Sequence, residues 1–438
     1  MALFDALVSD PNVESIFSDE AIVSAMLRFE AALALAEARA GIIPDHAAAA
    51  IARVTPDDLD AADISRQARS SATPGVAFVE RLIAAVSASA PGAAPFVHRG
   101  ATSQDVTDTA LVLCLRRAQY ELDTVHARIE AALRRLSNEH ANTVMLARTL
   151  LQPAAPTTFG LKAAGWLGSL SRSYQLVGDA FQRACVLQFG GASGTLAALE
   201  QDGLRIATEI ARDLDLPLPD APWHAHRDRL ASLVAACGVY AGAIAKAARD
   251  IALLMQAEVA EAAEPGGASS AMPHKRNPAG CAVALASAAR LPGLVATFLA
   301  GMAQEHERGL AGGPAEWATI ATAMSATASA ASAFAGVVET LRVDPARMRE
   351  AIVETRGAVF AEQAMLRLAP ALGRDAAAAA VRNAVAAAGS GGDFVPALLE
   401  NPAVSAALSK DRAVLGDADA YLGVAEQFRR RLLGESER

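Results

Sequence analysis

Apolar positions recur three and four residues apart over unusually long stretches of this chain. From Asp105 to about His140 they do so without an internal proline or glycine, which predicts a helix longer than globular helices usually run. Similar patterns run from about Thr157 to Cys185, from Asp228 to Ala263, from Pro278 onward and from about Thr319 to Leu341. An earlier helix opens at the capping signal Ser18-Asp19-Glu20, carries Ile22, Met26, Phe29 and Leu33 on one face, and stops near Gly41. A small helical hairpin is expected over roughly 45–90, and short helices beyond Val343-Asp344-Pro345, with loops at Gly389-Ser390-Gly391-Gly392 and Asp417-Ala418-Asp419. No convincing alternating run predicts a strand. The pattern therefore predicts an all-α chain of three domains. These are an N-terminal helical domain over 1–95, closed by the loop Pro91-Gly92-Ala93-Ala94-Pro95, a central long-helix bundle over 96–342, and a C-terminal helical domain over 343–438. Broad alanine-rich faces on so slender a bundle favour self-association.

The breaks between the long helices carry the polar chemistry. Glu264-Pro265-Gly266-Gly267 stops one helix, and Asn277-Pro278 starts the next with Asn277 as cap. Between them, Ser269, Ser270, Met272, His274, Lys275 and Asn277 lie on one glycine-rich loop at a helix N-terminus, a setting that suits a developing anion. A second cluster is Val97-His98-Arg99-Gly100-Ala101-Thr102-Ser103-Gln104-Asp105. Thr102, Ser103 and Gln104 sit where a helix begins, so they either cap it or meet a carboxylate together with free N–H groups. His98 reads as a structural histidine or an assisting group. The third cluster is Arg148, Thr149 and Gln152, ahead of Pro153 and Pro156, with Thr157 as the cap of the following helix. Those three polar residues either stabilise the loop or bind a substrate. Phe189-Gly190-Gly191-Ala192-Ser193-Gly194-Thr195 is a glycine-rich turn without the strand and lysine of a phosphate cradle. Gln304-Glu305-His306-Glu307-Arg308 precedes another break, and Arg308 has the fork to hold a carboxylate.

Composition narrows the field. The net charge of −9 is spread without large blocks, so no basic nucleic-acid surface is evident. Four widely spaced cysteines, Cys114, Cys185, Cys237 and Cys281, lack metal spacing and read as buried thiols of a cytoplasmic protein. No signal peptide and no span apolar enough to cross a bilayer are expected.

The clusters at 98–105, 148–160 and 266–278 resemble those of the fumarase/aspartase superfamily, which includes fumarases, argininosuccinate and adenylosuccinate lyases and bacterial 3-carboxy-cis,cis-muconate cycloisomerases. The match at Ser269-Ser270-Ala271-Met272-Pro273-His274-Lys275-Arg276-Asn277-Pro278 is highly specific, and the resemblance covers essentially the whole chain. Phe17-Ser18-Asp19-Glu20, the 97–105 cluster, 304–308 and Asp417-Ala418-Asp419-Ala420-Tyr421-Leu422-Gly423 look most like the cycloisomerase branch. The resemblance implies a three-domain, nearly all-helical fold. Four subunits would form a twenty-helix core in a homotetramer, with each site drawn from three subunits. It implies Ser269 as the alkoxide base, and Lys275 and Asn277 as holders of a carboxylate with enediolate character. Thr102, Ser103, Gln104, Thr149, Gln152, Ser270, Met272 and Arg308 would bind substrate with Arg148, and His98 would assist. No metal or organic cofactor, nucleic acid or membrane is implied.

Two positions depart from many lyases of that superfamily. Leu150 stands where they have a histidine, and Ala282 where they have a glutamate. By resemblance, that pair protonates the leaving group. Expelling an amine or hydroxide needs such an acid, worth roughly a hundred- to ten-thousandfold in rate. A carboxylate leaves as an anion, because its pKa is about 4. The departures thus fit reversible closure of 3-carboxy-cis,cis-muconate, a tricarboxylate, to 4-carboxymuconolactone in protocatechuate breakdown by the β-ketoadipate route. The alternatives are another superfamily lyase, adenylosuccinate lyase above all, with an acid recruited from His224, His226 or His306, or a silent helical scaffold.

Overall fold

The computed structural model describes residues 3–268, 271–272, 274–310, 312–409, 412 and 414–435. Helix α1 (Asp19–Arg39) begins where Ser18 accepts the Ala21 N–H, and ends just before Gly41 at φ +76°. The long helices are α2 (Ser103–Glu139), α3 (Phe159–Ala184), α4 (Asp228–Leu254), α5 (Ala279–Ala300) and α6 (Gly312–Thr340). The chain forms two compact units, and the division between them falls inside each of these five helices.

The first unit comprises Met1–His126, Arg172–Ala245 and Val283–Ala333. His126 of α2 stacks on Tyr174 of α3 at 3.9 Å, and its Nδ1 lies 2.9 Å from the Tyr240 hydroxyl of α4. Ser287 of α5 and Ser329 of α6 share a buried hydroxyl hydrogen bond of 2.9 Å. Ala323, Ala326, Ala330 and Ala331 are buried without exposure, so α6 makes its contacts with small side chains at close range.

The second unit comprises Ala127–Ser171, Lys246–Ala282 and Phe334–Arg438. It holds an antiparallel hairpin, β1 (Val144–Thr149) and β2 (Gln152–Thr158), with Val144 opposite Thr158 and Thr149 opposite Gln152. Val144 and Leu146 join a core that includes Phe360, Leu368, Phe394, Leu398 and Val404 from the short C-terminal helices. A two-residue pairing of β3 (Ala262–Ala263) with β4 (Arg342–Val343) precedes the helix Pro345–Glu354, which Asp344 caps.

Several sequence expectations are corrected. The hairpin was not expected, because Pro153 and Pro156 argue against a strand; in a two-stranded ribbon they sit on an edge, beside a register shift between Leu146 and Arg148. Thr158, and not Thr157, accepts the Leu161 N–H at the start of α3. Helix α4 ends at Leu254 instead of Ala263, since Ala262 and Ala263 are taken into the ladder with β4. The segment Pro91–Phe96 is a 3-10 helix and not a loop, residues 45–90 hold three α-helices and the short 3-10 helix Pro56–Asp58 and not a hairpin, and α6 starts at Gly312, before Thr319. Finally, α4, α5 and α6 are each long and apolar enough to cross a membrane by length and composition, with mean hydropathy of 1.6, 1.6 and 1.3. Alanine-rich bundle packing produces that composition too.

Candidate active site

In the first unit, the site elements meet around Asp105. Its carboxylate accepts N–H groups from Thr102 at 3.0 Å, Gly190 at 3.0 Å and Gly191 at 2.9 Å, and lies 2.7 Å from His224 Nε2. Asp105 therefore caps α2 and also joins the 98–105 turn to the glycine turn. Gly191 is required there, at φ +68° and with Gly100 O only 2.8 Å from where a Cβ would stand. Gln104 Nε2 donates to Asp108 Oδ2 at 3.0 Å and to the His224 carbonyl at 2.8 Å, so its amide hydrogens are engaged. Arg308 donates to the carbonyls of Ala192 at 2.9 Å and Gly191 at 3.4 Å, so it too holds the glycine turn.

Beneath this lies a buried polar layer. Arg227 donates to both Asp108 oxygens at 2.7 and 3.0 Å and to Glu316 at 2.7 Å, and its guanidinium lies 4.7 Å from the Trp223 ring centre. Gln304 donates to the other Glu316 oxygen at 2.8 Å. Burial lifts the Glu316 carboxyl above its usual range, against the pull of Arg227. His98 takes the left-handed conformation at φ +58°, and its Nδ1 lies 2.5 Å from Glu30 Oε1. Burial disfavours charge on His98, but Glu30, Asp105 and Glu37 outweigh it and raise its pKa.

In the second unit, Arg148 makes a two-pronged ion pair with Glu261 at 2.8 and 2.6 Å. Thr149 and Gln152 are exposed and face each other across the hairpin's end. Leu150 and Leu151 form its tip at φ +50° and +65°, with exposures of 97% and 74%. The serine loop closes on itself where the Asn277 N–H donates to Gly267 O at 2.8 Å and Ala268 bridges Arg276. Met272 and Lys275 are exposed, and Asn277 is half-buried. Ser269 and Ser270 lie outside the described residues. The start of α5 differs from expectation: Glu264, and not the Asn277 side chain, accepts the Gly280 N–H at 2.9 Å. Burial raises Glu264, and its N–H donors oppose that rise.

The sequence-predicted residues thus fall into two groups. His98, Thr102, Ser103, Gln104 and Arg308 belong to the first unit, and Arg148, Thr149, Gln152, Met272, Lys275 and Asn277 to the second. Of the candidate acids, His224 is buried on Asp105, whereas His226 and His306 are exposed. Sequence reading missed Glu30, Glu37, Asp108, Arg227, Glu261 and Glu316. One signal was present: Glu30 and Glu37 sit in the stripe of Met26 and Leu33, where apolar residues are expected.

Comparison with known proteins agrees with this architecture. A family model described as Lyase matches residues 7–293, and one described as Adenylosuccinate lyase C-terminus matches 357–432. The chain is 43% identical to a 3-carboxy-cis,cis-muconate cycloisomerase of Pseudomonas aeruginosa, over 99% of this chain and 96% of that protein. It is 37% identical to a nitrosuccinate lyase of Streptomyces davaonensis, over 97% and 93%. The crystal structure of a 3-carboxy-cis,cis-muconate lactonizing enzyme from Pseudomonas putida superposes with a TM-score of 0.93 at 40% identity, covering 99% of this chain and 98% of that one. With its helical fold, its polar clusters and its full-length relatives in agreement, the chain belongs to the lyase family of the fumarase/aspartase superfamily.

Proposed function

We propose that the protein catalyses the reversible cycloisomerisation of 3-carboxy-cis,cis-muconate to 4-carboxymuconolactone. In the closing direction, a substrate carboxylate oxygen adds to the double bond and forms the C–O bond. The electron pair moves onto the neighbouring carboxylate as an enediolate, which Lys275 and Asn277 stabilise. The Ser269 hydroxyl gives its proton to the adjacent carbon; in the opening direction the serine alkoxide removes it and the carboxylate departs. Thr102, Ser103, Gln104, Thr149, Gln152, Ser270 and Met272 line the substrate, and Arg148 and Arg308 shape the two loops that present them.

The observation that carries this reading is the side chain at the place of the missing acid. Leu150 holds that place at a hairpin tip, and Ala282 replaces its partner, and neither side chain can give a proton to a leaving group. A carboxylate leaving group needs none. The cycloisomerase and lactonizing relatives named above support the same substrate. A nitro-substituted succinate shares the property, because nitrite also departs as a stable anion, and elimination from it is the second reading.

The exposed side of α5 supports a homotetramer with sites shared among subunits: Ala282, Ala286, Ala289, Gly293 and Ala296 offer small side chains for close packing. Four buried, unpaired cysteines favour the cytoplasm. Within this reading the chain divides at about 95 and 342.

Loss of the diene absorbance of 3-carboxy-cis,cis-muconate tests the activity, with nitrosuccinate, adenylosuccinate and the Ser269→Ala protein assayed beside it. Rapid loss that Ser269→Ala abolishes is expected. Turnover of nitrosuccinate or adenylosuccinate alone would overturn the assignment.

A further inference from the structure

The substrate in this reading carries three carboxylates, yet two of the expected cations are already engaged. Arg148 spends both prongs on Glu261, and Arg308 donates to the carbonyls of the glycine turn. On the 98–105 turn the exposed Arg99 is one cation, and His98 is the residue placed to supply a second.

Its ring is held with unusual care. Glu30 of α1 is 1% exposed, and its Oε1 lies 2.5 Å from His98 Nδ1. A carboxylate only accepts, so Nδ1 carries the hydrogen in that contact, and the exchangeable position of the ring is Nε2. The His98 side chain keeps 15% of its exposure, so the ring reaches the surface of the turn while Glu30 does not. The backbone at His98 is left-handed, at φ +58°, a conformation that is unfavourable for a residue with a Cβ. Such strain persists where the surroundings fix it, and it concentrates at working sites.

The groups facing the ring also favour a cation. Glu30 and Glu37 come from α1, two turns apart on one face, and Asp105 comes from α2; Arg99 lies beside Glu37. Glu37 is fully buried, with no hydrogen-bond partner for either oxygen, and burial pushes its pKa up to about 8. Glu30, and not Glu37, is therefore the carboxylate in hydrogen-bond contact with the ring. One Glu30 oxygen likewise lacks a partner, which leaves His98 as the contact that compensates this buried carboxylate.

We propose that Glu30 is a positioning residue for the reaction: by gripping Nδ1 of His98 it holds the ring as an imidazolium whose Nε2–H binds one carboxylate of the anionic substrate. The proposal rests on the reading that the 98–105 turn belongs to the active site. It assigns the turn a cation that depends on a residue of another helix, far away in sequence.

The test uses the full-length enzyme, 3-carboxy-cis,cis-muconate, and the variants Glu30→Gln, Glu30→Asp, His98→Gln and the double variant Glu30→Gln/His98→Gln. Glu30→Gln is expected to raise KM about tenfold or more, with kcat changed less, as loss of a charge-assisted hydrogen bond does. The high-pH limb of kcat/KM should fall by about one unit, because the imidazolium loses the carboxylate that favours it. Glu30→Asp should recover part of both effects. The double variant should be no worse than His98→Gln, as expected for two residues acting through one contact. Wild-type KM and limb in Glu30→Gln, with His98→Gln impaired, would overturn the proposal and leave the site reading standing. Wild-type kinetics in His98→Gln would instead remove the turn from the site. Should Glu30→Gln not fold, Glu30→Asp decides: an unshifted limb and unchanged KM there overturn the proposal as well.

Discussion

Both terminal nitrogens of Arg148 donate to Glu261, at 2.8 and 2.6 Å, and the Glu261 side chain is completely buried. The pair ties the strand leading to the Leu150 tip to the segment that follows α4. Arg148 is a quarter exposed, so its own removal costs little solvation, but it would leave a buried carboxylate unmatched. Arg148→Met is expected to lower stability by about 3 kcal/mol, and Glu261→Gln by less. Urea denaturation of both variants at one protein concentration checks the order. Equal and negligible losses would mean that the pair is not worth its geometry.

Arg227 makes a stronger case of the same kind. It is 2% exposed and compensates both Asp108 and Glu316, whose side chains are equally buried. Arg227→Met leaves two uncompensated carboxyls and is expected to cost about 3–5 kcal/mol. Arg227→Lys should remain nearly as costly, because an ammonium cannot reproduce the fork on Asp108 and the bond to Glu316 together. Thermal unfolding followed by circular dichroism would read both, and a mild effect of the lysine variant would contradict the geometric argument.

Glu37 gives the fold a pH dependence with a definite sign. Its folded pKa, about 8, lies above the ordinary value of 4.5. Below pH 4.5 both folded and unfolded chains hold the proton, and the group contributes no slope. Between about 4.5 and 8 the unfolded chain has lost it while the folded one retains it, so stability falls as pH rises, by up to about 1.4 kcal/mol per unit. Above about 8 the slope vanishes. Glu37→Gln should flatten this decline and gain most at the alkaline end. Denaturation midpoints at pH 5, 6.5 and 8 would show it; parallel curves for the two proteins would refute it.

Much of the helical frame was legible because it rests on local signals. Ser18 and Gly41 bound α1 as their chemistry dictates, and the uninterrupted run after Asp105 became α2. What escaped was long-range. Nothing local stops α4 at Leu254; the stop comes from pairing with Arg342 and Val343, about ninety residues away. The prolines of β2 hid a strand that tolerates them only as a free edge. In the candidate site, Thr102 and Gln104 announced themselves as polar residues at a helix start. Glu261 fell within an expected helix and Arg227 and Glu316 just ahead of expected ones, where charges are ordinary, and only burial sets them apart. Glu30 and Glu37 were readable in principle, as acids within an apolar stripe.

The Leu150–Leu151 tip carries the last prediction. Two-residue hairpin turns with both residues at positive φ favour an asparagine followed by a glycine, and a leucine there costs about 1–2 kcal/mol. Both leucines are also exposed, so no packing within this chain offsets the strain. The double substitution Leu150→Asn/Leu151→Gly is therefore expected to stabilise the unit by about 1–2 kcal/mol. If the tip only closed a turn, turnover would be unaffected. In the proposed function it stands in the place of a leaving-group acid, in a site shared among subunits, and its apolar side chains are part of that site. The doubly substituted enzyme should then melt higher and turn over 3-carboxy-cis,cis-muconate at least tenfold more slowly, roughly the loss that removing one buried apolar contact produces. Melting temperature and turnover measured on the same preparation separate the two effects. A stabler enzyme with undiminished turnover would detach Leu150 from the chemistry, and with it the argument that its replacement of an acid chose the reaction.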